Sequence, residues 1–397
     1  MQTLGSALDE QKGFAQGFDF LRISLATGII GWHTASLSGH VETARASVFW
    51  FSEYMLVPMF FALSGFLVAG SSMRLSTTNF LLNRAARILP ALIADIVFAA
   101  LLIGPLVTTL PAKQYFTDAT FLSYFFNIVG WMHYSLPGVF ENNPLPEVNG
   151  ALWTVPFEIG CYVILMGLMI SGAIKRPRLV LLLTYAVLIV GIPLRLMTSH
   201  LVSDNASFLE KLAMDLFLFR SSLLWPSFLI GIVLYQLRYY VPFSRTVAIG
   251  LVCVATLVSV FGDAEVLLRS PVFHSTILPL LGYLTVMIGL SPMPRLPGFG
   301  TGDYSYGLYL YHTPFLQLLI HYFPEAWTGD RWWTLFFAGF PLSLTAAVIS
   351  WHLFEYPALK LRNSFVIKHR PEGGSGFGDR AHAASSQSAG RIAPLSG

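Results

Sequence analysis

Runs of about twenty apolar residues recur along most of this chain, and that recurrence limits its fold more than any other feature. Twenty residues of α-helix span about 30 Å, the thickness of a bilayer's hydrocarbon core. The runs fall at roughly 18–38, 48–70, 88–110, 151–173, 179–198, 221–238, 246–262, 272–290, 303–323 and 332–354. Lipid offers the backbone no hydrogen bonds, so each run reads as a helix. The expectation is an all-α polytopic membrane protein with about ten transmembrane helices in one domain, residues 1–362. Only 11% of the 397 residues are charged. Soluble domains carry about 25%, so a soluble globule is excluded.

An even number of spans puts both termini on one side, and lysine and arginine placement says which side. With the N-terminus inside, the inner segments hold Lys12, Arg74, Arg84, Arg87, Lys175, Arg176, Arg178, Arg238, Arg245, Arg295, Lys360, Arg362, Lys368 and Arg370. The outer loops hold only Arg45, Lys113, Lys211, Arg220, Arg269 and Arg331. Both termini are therefore expected in the cytoplasm. Net charge is +3 and says little about partners, because the basic residues are scattered over short loops; no nucleic-acid partner is expected. Cys161 and Cys253 sit inside apolar runs as small core residues, and no metal-ligand spacing is present. Asp9, Glu10 and Lys12 precede the first run and no small-residue cleavage site ends it, so the first helix reads as an uncleaved anchor. From about 371 the chain is rich in Gly, Ser and Ala without periodicity, and 363–397 reads as a disordered cytoplasmic tail.

The first run carries two ionisable residues, Arg22 and His33. A cation at membrane depth costs roughly 2.5–3.5 kcal/mol on insertion scales. Eleven residues at 3.6 per turn return to nearly the same helix face after a rise of about 16 Å. One reading points both side chains into a single cavity, one near a membrane surface and one deeper. The other has the arginine snorkelling and the histidine bonded to a backbone carbonyl.

Further polar residues interrupt other runs. Arg84 and Arg87, three apart, share a helix face and suit phosphate oxygens, although two arginines at a cytoplasmic helix end also satisfy topology alone. Ser64 and Gly65 allow another helix or a ligand to approach the second span closely. Glu158 lies about two turns into the fourth span, where it either orients His33 or forms a structural pair with a donor such as Arg22. Tyr304, Tyr311 and His312 in the ninth span are candidates to line a pocket, with Pro314 expected to kink the helix. Glu355 reads as a cap or interface residue, and Asp95 has no evident role. The loop 111–150 is polar, with aromatics at Tyr124, Phe125, Phe126, Trp131 and Tyr134 that suit either a membrane interface or a sugar face. No P-loop, HExxH, GxSxG, CxxC or GxGxxG pattern occurs.

Six stretches in order resemble the membrane acyltransferase type 3 family, which O-acylates sugars and related acceptors. They are Arg22 with His33, the FFALSGFL segment, the Arg84–Arg87 loop, the LWTVPFE helix start, YSYGLYLYHTPF and the terminal FEYP, covering 17–357. The match departs where the family often has Ser-x-Glu-Glu and here Glu158 stands alone, and where Tyr311 replaces a tryptophan. The resemblance implies a multi-pass protein of the bacterial inner membrane, in contact with membrane lipid. It implies cytoplasmic acyl-CoA, acetyl-CoA above all, as co-substrate, with no metal. The acceptor would be a hydroxyl of a saccharide or lipid-linked glycan. His33, Arg22 and Glu158 would be catalytic. Arg84, Arg87, Arg22, Ser64, Tyr304, Tyr311 and His312 would hold the donor. The alternative on the same cationic residues is a transporter or exporter of an anionic or acylated small molecule, disfavoured by the absence of paired repeats.

Overall fold

The computed structural model describes residues 2–11, 15–191, 221–293 and 302–368. Its principal helices are α1 (Gln16–Leu37), α2 (Trp50–Ser72), α3 (Thr77–Phe98), α4 (Val155–Ile170), α5 (Pro177–Ala186), α6 (Ser221–Gln236), α7 (Arg245–Phe261), α8 (Pro271–Leu290), α9 (Ser305–Tyr322) and α10 (Thr334–Ser350). A π-helical turn, Trp351–Glu355, carries α10 on into a last helix, Tyr356–Lys368. The proposed tail beyond it, the second half of the run 179–198, and Lys12, Lys211, Arg220, Arg295 and Arg370 lie outside the described residues.

Among the described residues five helical stretches are long and apolar enough to cross a membrane: Trp50–Ser72, Thr77–Val107, Gly150–Ile170, Pro271–Leu290 and Gly329–Arg362. α1 and α9 fall short of that apolarity because of what they carry: Asp19, Arg22 and His33 on one, four tyrosines, two histidines and Gln317 on the other. Yet α9 is buried along most of its length, His312, Thr313 and Gln317 included. α7, largely apolar, has no buried residue and exposes Val252, Val254, Leu257 and Phe261. Polar helices inside and apolar side chains outside is the arrangement that a lipid solvent favours. The protein is an all-α integral membrane protein.

Two close contacts set the helix spacing. A Cβ on Gly65 of α2 would lie 2.0 Å from the Phe228 carbonyl oxygen of α6, and one on Gly231 would lie 2.1 Å from the Ala62 carbonyl oxygen. The backbones of α2 and α6 therefore touch, which only glycine permits. α3 does not stop at Phe98: a π turn, Ala99–Ile103, leads into Gly104–Val107. The wider turn frees a carbonyl, and the buried Tyr115 hydroxyl donates to Ala100 O at 2.7 Å.

The loop 108–149 is folded onto the bundle rather than hanging in water. It forms short helices at Ala112–Thr117 and Ala119–Tyr124 and a 3-10 turn at Phe125–Val129. Gln317 of α9 anchors it, donating to Leu145 O at 2.7 Å and Glu147 O at 2.5 Å and accepting from Asn143 at 2.7 Å. Asn149 donates to Asp95 Oδ2 at 2.8 Å and to Leu310 O at 2.9 Å. Asp95 thus gains a role: it fastens the end of this loop between α3 and α9, beside the 3-10 turn Gly150–Thr154 that starts α4.

Candidate active site

The site is built on one stripe of α1. Arg22, Ile29 and His33 are spaced by seven and four residues, which at about 100° per residue keeps all three within some 20° of one direction. Arg22 and Ile29 line a cavity of about 150 Å³, and Ile29 and His33 line a second of about 570 Å³. The two cavities share three wall residues, Ile29, Val57 of α2 and Tyr309 of α9.

The smaller cavity is the arginine cavity. Arg22, Arg84, Arg87, Ser64, Glu158, Tyr162 and Tyr306 line it, with apolar walls from Phe60, Phe61 and Leu67. Arg84 and Arg87 diverge rather than closing as one clamp. Arg87 Nη2 binds Asp303 Oδ2, which also takes Arg22 Nη1 at 3.0 Å. Asp303 Oδ1 accepts from the Ser305 hydroxyl at 2.5 Å, so both carboxylate oxygens are engaged. Arg84 lies over the Phe80 ring, 6.0 Å from its centroid, and its Nε is buried with no hydrogen-bond partner among the described residues. Glu158 accepts from the Tyr162 hydroxyl at 2.8 Å. Asp19 also takes Arg22 Nη1, at 2.8 Å, so three guanidinium groups face three carboxylates, Asp19, Glu158 and Asp303, and the buried Arg84 Nε is the donor left for an anion.

The larger cavity is the histidine cavity. Its walls are aromatic, with Trp32, Trp50, Tyr54, Tyr134 and Trp153, and carry Glu53, Glu147, Arg45 and His274. Arg45 grips Glu53 with two bonds of 3.0 and 2.8 Å. The bound carboxylate raises the Arg45 guanidinium above its usual value, ahead of a smaller opposing effect of burial. His274 Nε2 donates to Leu268 O at 2.8 Å, so its Nδ1 accepts from the Tyr54 hydroxyl, also at 2.8 Å.

His33 pairs with His312: Nδ1 of the first lies 2.5 Å from Nε2 of the second, the rings nearly parallel with centroids 4.8 Å apart and 11° between planes, edge to edge. A carbonyl decides the direction of that bond. His312 Nδ1 is 2.7 Å from Tyr309 O, which only accepts, so His312 carries its proton on Nδ1 and presents a lone pair at Nε2. His33 must then donate through Nδ1, which leaves the basic lone pair of the neutral ring on its Nε2.

The expected site residues separate accordingly. Arg22, Arg84, Arg87, Ser64 and Glu158 gather at the arginine cavity, and His33 lines the histidine cavity with His312 behind it. Glu158 does not supply the orienter proposed for His33: the imidazole of His312 holds that ring, while Glu158 is bound to Tyr162. Neither Tyr304 nor Tyr311 lines either cavity. Tyr304 packs edge-on against Trp351, and Tyr311 donates to Ser350 Oγ at 3.1 Å, joining α9 to α10. Gly65 belongs to the helix contact and its neighbour Ser64 to the cavity. Tyr306 and Tyr309, which line the arginine cavity, and Asp303, which binds two of its arginines, were not singled out by sequence reasoning. Their signal was an acidic and aromatic cluster at the start of the ninth run.

The acyltransferase domain family matches residues 16–352, and the chain belongs to that acyltransferase type 3 family. It is an acyltransferase, and the group moved is not an amino-acyl group. Nodulation protein 10 of Rhizobium leguminosarum bv. viciae is 28% identical over 388 residues, 92% of this chain and 99% of the relative. The O-acetyl transferase of Shigella phage Sf6 is 26% identical over 355 residues, 85% of this chain and 94% of the relative. No solved structure matches.

Proposed function

We propose that this protein moves an acetyl group from cytoplasmic acetyl-CoA to a hydroxyl of a saccharide or lipid-linked glycan at the outer face of a bacterial inner membrane. About ten spans with both termini inside would carry the site. His33 Nε2 takes the proton of the acceptor hydroxyl as the oxygen attacks the thioester carbonyl. A C–O bond forms, the C–S bond breaks, and the departing thiolate takes the proton back from the imidazolium. General-base help of this kind contributes typically 10²–10⁴-fold. Arg22, Arg84 and Arg87 would hold the donor's phosphates, Arg84 offering the buried donor that the fold leaves unsatisfied. The aromatic walls of the histidine cavity would stack on sugar faces, and Glu53 and Glu147 would accept from hydroxyls. The relative named O-acetyl transferase supports acetyl as the group moved.

One observation carries this reading: Tyr309 O and His312 together fix His33 in the tautomer with its lone pair at Nε2, in a cavity walled against the arginines by three shared residues. Purified protein in nanodiscs, given radiolabelled acetyl-CoA and a membrane glycolipid extract, should pass label to the acceptor. His33→Ala should lower that transfer by about 10²–10⁴-fold with the thermal melting point held. Transfer at the full rate in the variant would overturn His33 as base.

A further inference from the structure

Between the cavity that would hold the thioester and the cavity that holds His33 stand Ile29, Val57 and Tyr309, one residue from each of α1, α2 and α9. An acyl carbonyl moving from the arginines to the histidine must pass among them. None of the three side chains is free to swing aside. Ile29 and Val57 are β-branched and stiff at χ1, and Ile29 is buried. The Tyr309 hydroxyl donates to Ala151 O at 2.9 Å and accepts from Thr154 Oγ1 at 2.9 Å, which ties it to the start of α4. Its ring meets Phe60 edge-on at 6.4 Å. Its carbonyl fixes the proton of His312, so ring displacement would also disturb the base. The space on the arginine side is about 150 Å³.

We infer that Ile29, Val57 and Tyr309 form a fixed aperture that selects the acyl chain, passing acetyl and holding back longer chains. They are specificity-determining residues. This rests on the proposed reading of an acyl-CoA donor in the arginine cavity. In an apolar site one methylene is discriminated by about 10–200-fold. A rigid aperture of two aliphatic side chains and one pinned aromatic ring should work in that range.

The test compares kcat/KM for acetyl-, butyryl- and hexanoyl-CoA in the full-length protein and in Ile29→Ala and Val57→Ala, each in nanodiscs with one saccharide acceptor. Wild type should prefer acetyl over butyryl by at least tenfold. Each alanine variant should raise the butyryl-to-acetyl ratio at least tenfold. Should an alanine variant not be recovered folded, Tyr309→Phe, which removes both hydroxyl bonds from the ring, should raise the same ratio. Active wild type that takes butyryl as readily as acetyl, or ratios that stay put in the variants, would overturn the aperture while leaving the donor reading intact. Wild type that uses no acyl-CoA at all would overturn the donor reading, and the aperture with it.

Discussion

A neutral imidazole has two nitrogens and one proton, and here the Tyr309 carbonyl decides through His312 which nitrogen of His33 stays basic. Groups that orient a metal-bound imidazole are worth about 10–100-fold when removed, and His312 plays the same part for an unmetallated ring. His312→Ala should therefore cost about 10–100-fold in kcat, with KM for the donor little changed and the pH profile of kcat displaced. Loss of KM alone, with the pH profile in place, would make His312 a packing residue only. Of these two histidines the sequence exposed one plainly: His33 interrupts an apolar run at a spacing that pairs it with Arg22. Asp303 was harder to see. An acidic residue at a helix start reads as a cap that complements the helix dipole, and only the fold brings Arg22 and Arg87 onto the same oxygen. Glu158 misled for a related reason. Depth within a span can be read from sequence, but the direction in which a side chain points across a bundle is decided by packing between helices distant in the chain.

Helix register explains which tyrosines of α9 matter. Residues 304 and 311 are seven apart and share one face, while 306 and 309 lie roughly opposite, about 140–200° round from 304. The second pair lines the arginine cavity and the first packs against the end of α10 and the π turn that follows it. The two faces were legible in the spacing, but not which face meets the site, because the alternation of Tyr with Leu looks alike on both. α2 offered a clearer sign in its Ser64-Gly65 pair among large apolar residues. There the contact at Gly65 can be tested by bulk. Gly65→Ala puts a Cβ 2.0 Å from the Phe228 carbonyl, and Gly231→Ala puts one 2.1 Å from that of Ala62. Either should cost about 1–3 kcal/mol, the usual effect of overpacking, read as a lower melting temperature in detergent. Melting unchanged in both would show that α2 and α6 separate without cost.

For the molecule as a whole, span existence followed from apolar length, whereas polar content gave no sign that α9 is buried along most of its length. α1 and α9 sit among the others because only there can Arg22, His33, His312 and Gln317 find partners. Orientation rests on the lysine and arginine asymmetry and can be checked directly. In a variant carrying Cys161→Ala and Cys253→Ser, Asn142→Cys in the exposed tip of the long loop should react with an impermeant maleimide on intact spheroplasts. Ser375→Cys should react only after lysis. The reverse pattern would invert the topology and with it the side from which the donor enters.

α1 runs from Gln16 to Leu37 as one uninterrupted helix, with no proline and no π turn between the guanidinium of residue 22 and the imidazole of residue 33. Carriers that shuttle cargo by alternating access bind it where such rods are broken into halves. A stiff ruler of about 16 Å between the two functional groups leaves nothing at that point to rock. On the proposed reading, chemistry would be handed across a stationary partition: the carbon skeleton that crosses would be the small piece being esterified, and the bulk of either reactant would keep to its own compartment.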